Sequence, residues 1–173
     1  MPMVRLQRLL SALATGALGL GAVSAWAQAP AAGAAPTMQA LEWQSQCRAE
    51  GCLAERTFLI RQGEQTQRVL TVRLLRRSAD KGGRVELGFL GPLGVRIAPG
   101  VRVEALGPSP VTLPYAVCAG AGCSAETELD AATLQALLQE KPITTTFVLA
   151  NGSQMVVKAD LSGLKKAMEA WKP

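Results

Sequence analysis

Apolar and polar residues alternate along several short runs of this chain, and the alternation predicts β-strands. It is clearest in RVLTVRLL (68–75), where Leu70, Val72 and Leu74 alternate with polar neighbours. This period of two is typical of antiparallel strands that have one buried face. Runs with strand character recur at 41–46, 53–60, 68–75, 84–90, 101–106, 111–117, 124–129, 144–150 and 154–160.

Two further stretches have the spacing of amphipathic helices. In 130–140, Asp130 is a favourable N-cap residue and three leucines follow on one face. In 161–171, apolar residues recur at intervals of three and four. Together with the strands, these stretches predict a mainly β fold. We expect an antiparallel β-sandwich or barrel of about 8–9 strands, with two short helices at about 130–140 and 161–171.

The N-terminus has the organisation of a secretory signal peptide. Arg5 and Arg8 precede an apolar run at 9–23, and small residues then lead to an expected cleavage after Ala27. The expected location is therefore periplasmic or envelope-associated, with no transmembrane anchor in the mature chain. The predicted organisation is a signal peptide at 1–27, a flexible Ala/Pro/Gly-rich leader at 28–40 and a single β-rich domain at 41–173.

All four cysteines lie in two copies of one motif, CRAEGCLAE and CAGAGCSAE. In an exported protein, four cysteines most simply form two disulfides. Each pair is separated by four residues between strand-like runs, and a hairpin loop of that length would place the two cysteines opposite each other. The spacing therefore favours the local disulfides Cys47–Cys52 and Cys118–Cys123. Gly51 and Gly122 are expected at positive φ, where the chain enters the second strand of each hairpin.

Other roles for the cysteines stay open on sequence grounds. A crossed pairing would close a longer loop and stabilise the fold by about 4 rather than 2 kcal/mol, so energy does not exclude it. Four thiolates could also bind zinc, and a cysteine pair could be redox-active. Both of these roles usually use two intervening residues and need reduced thiols, so we predict no metal site and no redox centre.

No arrangement of residues predicts catalysis. The chain has no histidine, which removes the commonest general base and the Ser-His and Cys-His nucleophile systems. Ser162 and Lys165 match the Ser-x-x-Lys pattern without its partner motifs, and the glycine-rich run at 88–94 is not followed by a helix. We therefore predict no catalytic residues and no cofactor. A hydrolase that uses the scattered carboxylates is a minor alternative.

Positive charge is concentrated in one predicted hairpin. From Arg61 to Arg84 there are seven basic residues and two acidic ones. Such a hairpin could bind an anionic envelope component or an acidic protein, or its charges could only keep a strand from pairing with others. Because the chain has one Tyr and three Phe, no nucleic-acid stacking surface is expected. The candidate binding residues are Arg73, Arg76, Arg77, Lys81 and Arg84.

Several features stand in a recognisable order. Trp43 precedes the first cysteine by four residues, and GPLGVRIAPG follows at 91–100. The second cysteine motif comes next, then a Leu-rich helix and LSGL at 161–164. In this order the chain resembles the invasion-associated locus B family of Gram-negative bacteria over 41–171. The chain departs from the pattern of this family in two places. Leu164 stands where the family is expected to have an aromatic residue, and the first cysteine pair is more tightly spaced than is expected of the family.

The resemblance implies an exported, β-rich envelope protein with no established enzymatic activity, from a family linked to host-cell invasion in some pathogens. Its most specific parts are the second cysteine motif and the segment Pro92, Leu93, Gly94 and Val95. We therefore expect a non-enzymatic protein that binds a protein or an anionic envelope partner through strand edges, this segment or the basic hairpin. The main alternative is a small-ligand carrier with an apolar pocket enclosed by β-structure.

Overall fold

The described part of the chain folds into two antiparallel β-sheets that pack face to face. The computed structural model describes residues 35–78 and 83–171, and these contain eleven strands and two helices. The helices are α1 (Ala131–Leu137) and α2 (Leu164–Glu169). The strands are β1 (Thr37–Ala40), β2 (Gln44–Arg48), β3 (Gly51–Gln62), β4 (Gln65–Arg77), β5 (Val85–Gly91), β6 (Val101–Glu104), β7 (Val111–Leu113), β8 (Tyr115–Ala119), β9 (Gly122–Glu128), β10 (Ile143–Val148) and β11 (Gln154–Ala159).

The larger sheet has seven strands. Its order is β1-β3-β4-β5-β9-β8, and β2 pairs with β3 beyond the end of β1. The smaller sheet has the order β11-β10-β6-β7. The described strands thus form two open antiparallel sheets, which confirms the prediction of a mainly β sandwich and selects it over the barrel.

The strand count is higher than the predicted 8–9 for two local reasons. Pro114 divides the predicted run 111–117 into β7 and β8, because proline has no N–H with which to continue the ladder. At the other edge, β1 lies within the range 28–40 that was predicted as leader, and it pairs with β3 from Thr37 opposite Arg61 onward. The signal peptide predicted at 1–27 lies outside the described residues.

Both helices are shorter than the predicted 130–140 and 161–171. Asp130 caps α1, and its carboxylate accepts a backbone hydrogen bond from the first turn at 2.6 Å. The chain leaves the helical direction at Glu140, which has a φ of 58°. The second helix starts only after Gly163, which has a φ of 84°. Within the described ranges, neither helix is long and apolar enough to span a membrane.

The hydrophobic core lies between the two sheets. Phe58, Phe89 and Phe147 are at most 1% exposed. A Cβ atom on Gly91 would lie 2.5 Å from the ring of Phe147, so the end of β5 packs directly against the smaller sheet. Other large, fully buried side chains are Leu70, Leu74, Leu87, Ile143, Leu161, Leu164, Val72, Val101 and Val103.

A buried arginine fastens the C-terminal segment to the larger sheet. Arg56 on β3 is 9% exposed. Its Nε donates to the carbonyl of Leu41 at 2.8 Å, and its Nη1 donates to the carbonyls of Asp160 and Ser162 at 3.0 and 2.8 Å. Because a guanidinium is costly to bury without partners, these contacts fix the position of the segment that leads into α2.

Candidate functional site

Each cysteine pair joins an edge strand of the larger sheet to its neighbour. The disulfide Cys47–Cys52 links β2 to β3, and Cys118–Cys123 links β8 to β9, with a Cα–Cα separation of 4.0 Å in both. These are the local pairs that the spacing favours. The prediction of four-residue loops is wrong. One further residue pair continues each ladder beyond the disulfide, so each hairpin has a two-residue turn.

Two structural constraints favour glycine at the position before the second cysteine of each hairpin. Gly51 and Gly122 have φ values of 146° and 134°, which are unfavourable for other residues. In addition, a Cβ atom on Gly51 would overlap the carbonyl oxygen of Arg76, and one on Gly122 would overlap that of Gly91. Positive φ is thus confirmed, and the close approach of the neighbouring strand is a reason that the sequence analysis missed.

Three of the predicted basic residues belong to ion pairs on or beside the outer face of the larger sheet, the face that points away from the core. Each lies within 3.4 Å of a carboxylate oxygen. They therefore form locally neutral pairs rather than a row of free cations. The pairs are Arg73–Glu126 at 3.4 Å, Arg77–Glu86 at 2.8 Å and Arg84–Glu128 at 3.0 Å.

Two of these pairs show how the sheet register positions the charges. Arg77 donates through Nε and Nη2 to the two carboxylate oxygens of Glu86, at 2.8 and 3.0 Å, and this contact raises the pKa of Arg77 above its usual value. Arg73 on β4 reaches Glu126 on β9 across the intervening strand β5. The β5 residue between them is Gly88, which has no side chain to intervene.

A fourth predicted basic residue, Arg76, does not join this surface. Arg76 points to the inner face, where it donates a hydrogen bond to the carbonyl of Trp171. Its guanidinium carbon lies 5.5 Å from the centroid of the Trp171 ring. Arg76 therefore packs the C-terminus and does not share a surface with Arg73 and Arg77. Lys81 lies outside the described residues.

The segment Pro92-Leu93-Gly94-Val95, called here the PLGV segment, follows β5 and runs along the smaller sheet. Val95 forms an isolated β-bridge with Leu149, and the N–H of Ala150 donates to the carbonyl of Gly94 at 2.7 Å. These backbone contacts hold the segment in place. The side chain of Leu93 is nevertheless 55% exposed.

A cleft of about 520 Å³ lies between the PLGV segment and the adjoining ends of the two sheets. The inner face of β3 and β4 supplies one wall, and the turn between β10 and β11 supplies the other. Every described residue that lines the cleft is apolar or carries an uncharged amide, so this lining offers a ligand apolar contact and amide hydrogen bonds but no charge. The lining includes Ile60, Val69, Leu93 and Met155, with the amides of Gln62, Gln67 and Asn151.

The Ser-x-x-Lys pattern has a structural role. The hydroxyl of Ser162 donates to the carboxylate of Asp160 at 2.6 Å, and its N–H donates to the same group at 3.0 Å. These bonds, with a smaller effect from Arg56, lower the pKa of Asp160 below its usual value. Among residues 35–78 and 83–171, no group of three or more His, Cys, Asp or Glu side chains is arranged to hold a metal ion.

Only part of the cleft was predictable from the sequence. The PLGV segment was singled out, but the opposite wall, with Ile60, Val69 and Met155, was not. Local patterning marks these residues only as apolar positions in strands. Their meeting depends on how the two sheets stack, which no short stretch of sequence encodes.

Comparisons with known proteins agree with the architecture. The family model described as Invasion associated locus B (IalB) protein matches residues 43–172. No curated protein matches this chain. Among solved structures, the fold is similar to that of invasion associated protein B from Bartonella henselae, with a TM-score of 0.59 and 20% identity over 73% of this chain and 89% of that one. Because the family model spans most of the sequence, the chain belongs to the invasion associated locus B family.

Proposed function

We propose that this protein is a non-enzymatic binding protein of the bacterial envelope. In this proposal the signal peptide at 1–27 exports it to the periplasm, where it binds a partner protein. Membership of the family supports this function. The two disulfides also support it, because such bonds form and persist in oxidising compartments such as the periplasm.

The uncharged cleft beside the PLGV segment is the observation that carries the proposal. Leu93 is an exposed apolar side chain on a segment held by backbone bonds, and it stands at the edge of a cleft with apolar walls. The buried core of a protein interface is more apolar than the rest of the protein surface. Because none of the described residues that line the cleft is charged, the matching partner surface is an apolar, uncharged segment of a protein.

The basic hairpin supports an anionic partner less well than the sequence suggested. Arg73, Arg77 and Arg84 each lie against a carboxylate, so an anion would have to displace that group before it gained a full ion pair. Arg76 packs against Trp171 on the other face. We therefore place partner binding at the cleft rather than at the arginines.

A small-ligand carrier is a second candidate, because the cleft volume of about 520 Å³ lies within the range of small-molecule sites. Native mass spectrometry of protein purified gently from the periplasm separates the two functions. A carrier would retain a small uncharged molecule that is lost on Leu93→Arg. A protein-binding function predicts that no such mass is retained.

The proposal is tested by chemical crosslinking in the periplasm, followed by identification of the captured proteins. Leu93→Arg places a charge at the edge of the cleft and should remove a specific captured protein. Val117→Arg is the matched control, because Val117 is 59% exposed on the edge strand β8 and does not line the cleft. If both variants capture the protein equally well, the proposal is overturned.

A further inference from the structure

Strand β4 has a free backbone edge beside the cleft, and this edge indicates how a partner binds there. We propose that the partner protein inserts an extended, uncharged segment into the cleft and adds it to the larger sheet as a strand alongside β4. This inference rests on the proposed binding role of the cleft and adds the conformation of the bound segment. Three features carry it: unpaired backbone on β4, a gap that has room for one strand, and the chemistry of the cleft.

Part of β4 has a neighbouring strand on one side only. Its ladder with β3 runs from Gln65 to Arg77, whereas its ladder with β5 runs only from Thr71 to Arg76. Along 65–70, no backbone hydrogen bond to another described residue occupies the second side. Backbone groups of a strand alternate between its two sides, so about half of those in 65–70 point away from β3. They can therefore pair with about 20 Å of an added strand.

The free edge of β4 faces a gap in the sheet. Strand β5 separates β4 from β9 as far as Gly91, which lies opposite Cys123. The next residue, Pro92, has no N–H to continue the ladder, and the chain crosses from there to the smaller sheet. Beyond Gly91, no described strand takes the place of β5, so there is room for one strand. The side chain of Arg68 crosses this gap and donates to the carbonyl of Ala121 in the turn between β8 and β9.

The gap adjoins the cleft, and the cleft sets the chemistry of the inserted segment. Gln67 and Val69 belong to the free stretch of β4 and also line the cleft, together with Leu93 and Met155. Since successive side chains of a strand point to opposite faces, every second side chain of an inserted segment enters the cleft. The described lining carries no charge, so apolar residues suit these positions. In such strand addition, main-chain hydrogen bonds give affinity and pockets for alternate side chains give specificity.

Amide hydrogen exchange, measured by NMR on the mature protein, tests the inference with a defined probe. The probe is a blocked heptapeptide in which valine alternates with threonine. At about ten times its Kd, the peptide should slow exchange of the outward amides in 65–70 about tenfold, because the free protein is then about one-tenth of the total. Strand β8 is the internal reference, because it has an open edge and its residues do not line the cleft. Exchange in β8 should not change.

Two controls separate backbone pairing from apolar contact. Methylation of the central backbone nitrogens of the peptide keeps its side chains but removes hydrogen-bond donors, so the methylated peptide should not protect 65–70. Arg68→Ala removes the side chain that an inserted strand has to displace, and it should lower the Kd of the unmethylated peptide. Arg48→Ala, at an arginine on β2 outside the cleft lining, should leave that Kd unchanged. Equal protection by both peptides, or a Kd that Arg68→Ala does not lower, would overturn the inference.

The remaining outcomes also decide the question. Equal protection of β8, or no protection of 65–70, rejects strand addition beside the cleft. Protection of 65–70 that rises with protein concentration in the absence of peptide assigns the edge to a second copy of this chain and rejects the inference as well. Failure of the proposed function is distinguishable from these results. Crosslinking that depends on Leu93 without peptide protection of 65–70 retains the binding role and rejects strand addition, and the reverse pattern rejects the protein partner and retains an open strand site.

Discussion

Single glycines at the two cysteine hairpins illustrate how closely the strands approach each other. Gly51→Ala combines an unfavourable φ with an overlap against the backbone of β4, and Gly122→Ala does the same against β5. We expect each substitution to lower the free energy of unfolding by at least about 2 kcal/mol, as measured by urea unfolding with the disulfides intact.

Gly120 provides a matched control within one of the same hairpins. It lies in the turn, and a Cβ atom there would meet no atom within 4 Å. Gly120→Ala should change the free energy of unfolding by less than about 0.5 kcal/mol. Equal effects of Gly120→Ala and Gly122→Ala would contradict the packing argument.

Arg56 is the residue whose loss should affect stability most among the arginines described. Arg56→Ala removes the side-chain donor to the carbonyls of Leu41 and Asp160 and one of the two donors to that of Ser162, and we expect a loss of about 3 kcal/mol in urea unfolding. Arg56→Lys should restore only part of it, because an ammonium cannot reproduce the planar fork of the guanidinium. Arg61→Ala, at an exposed arginine on the same strand, should cost no more than about 0.5 kcal/mol.

At the residue scale, sequence predicted what depends on near neighbours. The cysteine spacing and the preceding glycines led to the hairpins, because both partners lie within six residues of each other. The inward direction of Arg56 and Arg76 could not be predicted, since their partners lie near the other end of the chain. An arginine in an alternating strand is by default expected on the solvent face, and these two are held inward by carbonyls and by Trp171.

At the element scale, the C-terminal segment and the edge strand β2 support each other. Trp171 donates through Nε1 to the hydroxyl of Ser45 on β2 at 3.2 Å, and Trp43 donates to the carbonyl of Ser162 at 3.0 Å. The first disulfide restrains the same edge. The second disulfide restrains the opposite edge at the opposite end of the sheet, where β5 ends. The motif therefore occurs twice because each edge of the larger sheet is restrained by a disulfide hairpin, and not because a domain is repeated.

The segment before α2 should give stability a specific pH dependence. Hydrogen bonds from Ser162 lower the pKa of Asp160, so in the acid range the folded state binds fewer protons there than the unfolded state. The stabilisation is therefore present above the ordinary aspartate pKa of about 3.9 and is lost as the pH falls through the lowered value. Urea unfolding should show wild type more stable than Asp160→Asn at neutral pH, with the difference shrinking below about pH 4.

Glu64→Gln is the control for this pH dependence, because Glu64 is an exposed residue in the turn between β3 and β4. Its curve of unfolding free energy against pH should run parallel to that of wild type. If wild type and Asp160→Asn differ by the same free energy of unfolding at pH 2 and pH 7, the charged form of Asp160 does not stabilise the fold as proposed.

At the scale of the whole molecule, period-two patterning was enough to predict an antiparallel sandwich or barrel but not to choose between them, and the helices were predicted in place but too long. The order of strands in the two sheets was not predictable, because pairing partners such as β5 and β9 are separated by about thirty residues of chain. The cleft depends on that order. It brings together Ile60, Leu93 and Met155, which are far apart along the chain and meet only where the ends of two sheets face each other.

The central claim is that this uncharged cleft, and not the outer face with its arginines, is the binding surface. The most direct test introduces a photo-crosslinking amino acid at position 93 or at position 73, irradiates intact cells and identifies the adducts. We predict a specific protein adduct from position 93 and none from position 73, where the side chain of Arg73 lies beside Glu126 on the outer face. An adduct from position 73 with none from position 93 would contradict the account.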